Sequence, residues 1–208
     1  IEYAYDDGSA ETGYSGGPGT YLAVHISPDT YPITVTKVKY YLTSVTQQII
    51  VQIWDDDGTG GLPGTQLVVP PLVIPTSQLV PNDWSVITLP DDYNIQFTSG
   101  DFYVGWIEPT NGCLIGVDTN GPSYNRSYQY AGGEWYDYTA GIPQNFMMRA
   151  IVQPAPFAVD ENVPMPIYSL ENYPNPVCAS TTFYYNLKAN MNKEVEIKIY
   201  NLLGQLVD

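Results

Sequence analysis

Positive charge is what this sequence has least of. Seven Lys and Arg stand against 22 Asp and Glu in 208 residues, a formal net charge of −15. A surface of that sign repels phosphates and anionic headgroups, which excludes nucleic acid as a partner. No membrane insertion is expected either, because no apolar run approaches the roughly 20 residues a spanning helix needs. Histidine occurs once, at His25, and cysteine twice, at Cys113 and Cys178. Two cysteines define no disulfide framework, and they read more readily as separate buried thiols than as a clamp. Zinc would want more His or Cys. A Ser-His-Asp arrangement would need His25 beside a serine on a sharp turn, and no G-x-S-x-G is present. There is no phosphate-binding loop and no dinucleotide fingerprint. Two carboxylates can hydrolyse a glycoside, but among 22 acids spacing selects no pair. The chain is therefore not expected to be an enzyme. No leader segment is legible, so Ile1 is expected to be a processed or a cut end.

What the sequence does have is aromatic and turn-forming: 19 Tyr, 4 Trp and 5 Phe, with 18 Gly and 18 Pro. A hydrophobic share of 44% argues against disorder. Thr, Val, Ile and Tyr dominate, which is strand chemistry. Period-two alternation recurs, because successive side chains leave a strand on opposite sides. "QIIVQIW" sets Ile49, Val51 and Ile53 on one face. "GDFYVGWI" sets Phe102, Val104 and Trp106 opposite Tyr103, Gly105 and Ile107. "NFMMRAIV" sets Phe146, Met148, Ala150 and Val152 opposite Asn145, Met147 and Arg149. In "YLAVHISP", His25 alternates with Leu22, Val24 and Ile26 and is expected to face solvent. Clusters such as "DDDGTGGLPG", "LPDDYN" and "AGGEW" separate these runs as turns. Short strands at this spacing predict an all-β, jelly-roll-like β-sandwich over 1–153.

Composition changes after Val152. Pro154, Pro156, Pro164, Pro166, Pro174 and Pro176 follow in quick succession. Proline fixes φ and lacks an amide hydrogen, so 154–169 reads as an extended, Pro-rich linker. Alternation resumes in 170–208. Sixteen acids and 4 bases fall before residue 157, and 6 and 3 after it. The acidity belongs to the first part.

The tail carries a resemblance. "LENYPNPVCASTTFYYNL" and "EVEIKIYNLLGQLVD" hold Tyr173 to Pro176, Ser180 to Thr182 and Ile199 to Gln205 in order. This resembles the C-terminal sorting domain of proteins exported by type IX secretion, and equally the Ig-like domain of the flagellar hook-cap protein. It implies an incomplete, partial Ig-like β-sandwich over 170–208, since the strands that follow the Gly-Gln turn in those families are absent. Their loss by truncation, or a strand donated by a neighbouring chain, would account for this. Self-association by such strand complementation would build an extracellular fibre, and "IEYAYDDGSAETGYSGGPGTY" is a conceivable donor. "YDDGSAETGY", "VQIWDDDGTGGLPGTQL", "SGDFYVGW" and "NFMMRAIV" resemble an uncharacterised jelly-roll module found beside secreted bacterial peptidases and surface proteins. That likeness implies an accessory domain at an extracellular or cell-surface location in a bacterium.

Two constellations are candidate sites. "WDDDGTGG" offers Asp55 and Asp57 in the first half of a Ca²⁺-loop spacing, and "YDDGSAE" adds Asp6 and Asp7. The position that should hold a bidentate Glu is Gln66. The competing explanation is two turns whose Asp and Gly residues serve backbone geometry. The second is "SYNRSYQYAGGEWYDY", with Tyr128, Tyr130, Trp135, Tyr136 and Tyr138 as a surface for a glycan or a partner's anchors. Cross-strand pairing in a hairpin explains the same residues. Asn125-Arg126-Ser127 is a formal glycosylation triplet. Together these readings predict a non-catalytic secreted or surface module with a structural or adhesive role. The alternative is a carbohydrate-binding accessory module of an exported hydrolase.

Overall fold

The computed structural model describes residues 1–108, 112–122, 124–139, 144–155, 169–173, 181–186, 199–200 and 206–207. The chain divides into two compact units, Ile1–Pro156 and Phe157–Asp208.

The first unit begins with β1 (Glu2–Tyr3), β2 (Thr12–Tyr14), β3 (Tyr21–Ile26), β4 (Ile33–Ser44) and β5 (Ile49–Asp55). Next come β6 (Leu72–Ile74), β7 (Asp83–Thr88), β8 (Gln96–Phe97), β9 (Phe102–Ile107) and β10 (Leu114–Asp118). It closes with β11 (Ser127–Ala131), β12 (Glu134–Asp137), β13 (Asn145–Phe146) and β14 (Met148–Pro154). The only helices among the described residues are single 3₁₀ turns at Thr76–Gln78 and Asp91–Tyr93.

These strands form two antiparallel sheets, an all-β sandwich. One sheet has six strands in the order β12-β11-β3-β9-β5-β6. The other has eight, running β1-β14-β4-β10-β13, with β2 paired to β10 and both β7 and β8 to β4. The core lies between them. The six-stranded sheet contributes Leu22, Val24, Ile26, Val51, Ile53, Phe102, Val104 and Trp106. The eight-stranded sheet answers with Val38, Tyr40, Leu42, Ile115, Val117, Phe146, Met148 and Val152. The residues of β3, β5, β9, β13 and β14 are the inward halves of the alternations read from the sequence; those of β4 and β10 are added by the structure. Tyr40 ties the layers together: its hydroxyl donates to the Gly105 carbonyl at 2.7 Å, and its ring stacks on Trp106. Complete burial pushes the Tyr40 phenol far above its ordinary value.

The N-terminal stretch is already paired within its own unit. β1 lies against β14, and β2 against β10. The stretch named as a conceivable donor strand thus has partners in the chain's own sheet. Cys113 is a buried free thiol that donates to the Gln47 carbonyl. Cys178 lies outside the described residues, as do most of the Pro-rich segment and Val195 and Ile197.

In the second unit, β15 (Ser169–Tyr173) pairs antiparallel with β16 (Thr182–Asn186). β17 (Ile199–Tyr200) pairs with β18 (Leu206–Val207).

Candidate functional site

The outer face of the six-stranded sheet should be polar if it simply faced water. It is aromatic instead. Register sets directly opposed residues side by side across the strands. One row runs Trp135, Tyr130, Tyr21, Ile107, Ile50. The next runs Tyr128, Ala23, Gly105, Gln52, and the third His25, Tyr103, Trp54.

Two stacks result. In the first, Tyr21 lies between Tyr130 at 4.8 Å and Trp54 at 5.9 Å, and Trp135 stands edge-on to Trp54 at 5.3 Å. In the second, His25 lies flat on Tyr103 at 4.6 Å, and Tyr128 meets Tyr103 edge-on. Ala23 and Gly105 sit between the stacks and are fully buried. A β-carbon on Gly105 would come within 1.9 Å of the Leu22 carbonyl oxygen, so the strands approach this closely only with glycine there.

Trp54 and Tyr103 are buried beneath this layer. The Tyr103 hydroxyl donates to the Gly61 carbonyl at 2.7 Å, which pins the 56–65 loop over the face. Burial, with nearby Tyr128, Asp56 and Asp101, pushes the Tyr103 phenol far up. Tyr21, Tyr128, Tyr130 and Trp135 form the part that solvent reaches; each is half-buried. Among the described residues, the hydroxyls of Tyr21, Tyr128 and Tyr130 donate to no other group.

The hairpin explains which aromatics join. Tyr130 opposes Trp135 and Tyr128 opposes Asp137, so these share the outer face. Tyr136 has the opposite parity and is 50% exposed, away from the group. Tyr138 lies past the end of β12 and turns inward, 4.5 Å from Tyr14 and 4.5 Å from Phe146. Burial pushes its phenol up to about 12. Of the five aromatics singled out from the sequence, the fold brings together Tyr128, Tyr130 and Trp135. It adds Tyr21, Trp54, Tyr103 and His25, which come from distant strands. A signal was present: Tyr21, Trp54 and Tyr103 each occupy the outward parity of a strand, where a wet face would carry polar residues.

His25 holds that parity too, but it is half-buried rather than free in solvent. Its Nε2 lies 2.9 Å from Asp101, and Asp101 also accepts from Ser27 Oγ at 2.6 Å. Burial lowers the His25 pKa, outweighing the upward pull of Asp101. Arg126 closes this corner by donating to the His25 carbonyl and to Ser27 Oγ.

The carboxylates proposed for Ca²⁺ serve the chain's own groups. Asp57 accepts from Thr65 Oγ1 and Thr65 N, both at 2.6 Å, and these bonds hold its carboxyl below the usual range. Asp55 accepts from the Asp56 amide, and burial raises its pKa, helped by the charges of Asp57 and Asp56. Asp6 pairs with Arg149 and accepts from Gly8 N. Asp7 caps Ser9, whose backbone and hydroxyl bonds hold it low. The two loops bond to different partners, and among the described residues no three His, Cys, Asp or Glu side chains gather as metal ligands. Each of the four accepts at least one hydrogen bond from a nearby backbone amide, and Asp6 also pairs with Arg149.

Two carboxylates passed over in the sequence are more deeply placed. Glu108, 2% exposed, accepts from Ser15 Oγ, the Gly16 and Gly17 amides and Thr20 Oγ1 at 2.5–3.1 Å. It thereby fixes the loop that delivers Tyr21 to the aromatic face. Asp118, fully buried, accepts from the amides of Asp7, Asn120 and Gly121.

No protein-family model and no curated protein matches this chain. Among solved structures it is similar to that of the cysteine protease and lectin-like domains of a surface-layer-associated protein of Clostridium difficile. Identity is 15%, the match covers 65% of this chain, and the TM-score is 0.47. This chain spans 32% of the length of that one.

Proposed function

We propose that this protein is a non-catalytic, adhesive β-sandwich module of the bacterial cell surface or extracellular space, and that the outer face of its six-stranded sheet is the adhesive surface. The observation that carries this reading is the part-exposed rim of Tyr21, Tyr128, Tyr130 and Trp135, in which the three phenolic hydroxyls have no partner among the described residues. Rings with few rotatable bonds, already locked by stacking, lose little freedom on binding. The use of the buried carboxylates supports a non-catalytic role: Glu108 and Asp118 hold backbone amides rather than facing a cleft. The single histidine is likewise occupied, between Asp101 and Tyr103.

The same rim favours a second reading, a carbohydrate-binding accessory module of an exported hydrolase. Both are tested by immobilising the protein and measuring retention of a panel of soluble polysaccharides and surface proteins. Retention of at least one member, lost in Tyr130→Ala/Trp135→Ala, is expected. Retention indifferent to that change would overturn the assignment of this face.

A further inference from the structure

We propose that the ligand of the aromatic face is an uncharged glycan chain, a proposal that rests on the reading of that face as adhesive. Three observations narrow the occupant.

The first is size. A stable protein interface covers about 800 Å² on each partner. Tyr21, Tyr128, Tyr130 and Trp135 are each less than half exposed. Four such rings, each worth about 150–250 Å² when wholly covered, present under about 400 Å². That is too little for a protein and enough for a few sugar rings.

The second is the spacing of hydrogen-bonding groups. Tyr21 and Tyr130 are direct neighbours on adjacent strands, and Tyr128 shares the face two residues along from Tyr130. Two residues of strand advance about 6.8 Å, and adjacent strands lie about 4.8 Å apart. The three phenols, unpartnered among the described residues, therefore form a small mesh. Each phenol can both donate and accept, which suits sugar hydroxyls that do the same.

The third is charge. The rim carries Asp56, Asp101 and Asp137, with Arg126 the nearest cation in the contact network. This field repels uronates, sulfates and phosphates. It also offers a cation little, because each carboxylate is engaged by its own chain. Asp101 is held by His25 and Ser27, Asp56 by the Asp101 amide, and Asp137 by Thr139 N and Oγ1. An uncharged chain meets neither obstacle.

Affinity electrophoresis in native gels tests this with the whole protein. The gels would contain dextran, galactomannan or a mixed-linkage β-glucan as neutral probes, and alginate as the anionic one. Retardation by at least one neutral probe is expected, unchanged between 0.05 and 0.5 M NaCl, since the roughly threefold shorter screening length weakens contacts with charged partners only. Tyr21→Phe/Tyr130→Phe keeps both rings and removes only the hydroxyls, so the fold is preserved. It is expected to weaken retardation about tenfold, in line with two lost hydrogen bonds. Retardation by alginate alone, or by neutral probes equally in wild type and the double variant, would overturn the proposal. Absence of retardation by every neutral probe, while Tyr130→Ala/Trp135→Ala still abolishes capture of a surface protein, would overturn the glycan and leave the adhesive face standing.

Discussion

On the outer face of the eight-stranded sheet, a tryptophan is covered by cations. Lys39 lies 4.9 Å and Arg149 4.1 Å from the Trp84 ring, and both bases also pair with Glu2. On the outer face of the six-stranded sheet, rings are covered by rings. The difference follows from where the few bases fall. Lys37, Lys39 and Arg149 share outward parity on adjacent strands β4 and β14, while among the described residues only Arg126 borders the other face. A cation over a ring also answers nearby carboxylates, so the first face is satisfied from within. Ring stacking answers only the π surfaces, and the hydroxyls of Tyr21, Tyr128 and Tyr130 find no partner among the described residues.

The largest expected effect breaks the aromatic face from beneath. Trp54→Ala should cost about 3–5 kcal/mol, the usual range for emptying a buried aromatic site. Trp84→Ala on the opposite face should cost only about 1–2 kcal/mol, since the ring is part exposed and its cations keep their carboxylates. Urea denaturation of both variants measures the contrast; equal losses would erase the distinction between the faces. Next comes Glu108→Gln. The amide keeps the shape but replaces charged acceptors of two backbone amides, and a loss of about 1.5–3 kcal/mol is expected. Because that loop delivers Tyr21, faster hydrogen exchange at the Gly16 and Gly17 amides should accompany it.

A smaller effect depends on pH. Burial holds the His25 pKa below 6.5, so the unfolded chain binds a proton there more readily than the folded one. Stability associated with the neutral ring is present above pH 6.5 and declines as pH falls through that value toward the folded pKa. His25→Gln should flatten the fall in Tm between pH 7 and pH 5.5; an unchanged slope would show that the ring does not govern it. The smallest effect is expected from Tyr130→Phe, within about 0.5 kcal/mol of wild type, since its hydroxyl bonds to no group among the described residues. A larger loss in thermal melts would mean the hydroxyl has a structural partner.

Alternation in the sequence was enough to assign Phe102, Val104, Phe146 and Met148 to the core, because a strand's parity is local. The aromatic face was only partly legible for the same reason. Tyr128 and Tyr130 could be paired with Trp135 from one hairpin, but Tyr21, Trp54 and Tyr103 meet them through pairings that span up to 109 residues, as between Tyr21 and Tyr130. Parity within β12 decided against Tyr136, and the strand's end decided against Tyr138. The Asp clusters were ambiguous for a different reason. A carboxylate that caps a turn and one that binds a cation occupy the same Gly-rich sequences, and nothing local foretells that Asp57, Asp7 and Asp6 accept from Thr65, Ser9 and Arg149.

The pairing of β1 with β14 has a mechanical consequence. The Ile1 backbone nitrogen donates to the Val152 carbonyl, and the Val152 amide donates back to the Ile1 carbonyl, both at 2.9 Å. Glu2 then faces Ile151, and Tyr3 faces Ala150. The strands are antiparallel, so both leave the unit at the same end of the ladder. A tether pulling through residues 1 and 155 would load these bonds one after another, as a zipper opens, rather than all together in shear. A sandwich loaded this way would yield first at β1, at low force, with the aromatic face on the far sheet still assembled.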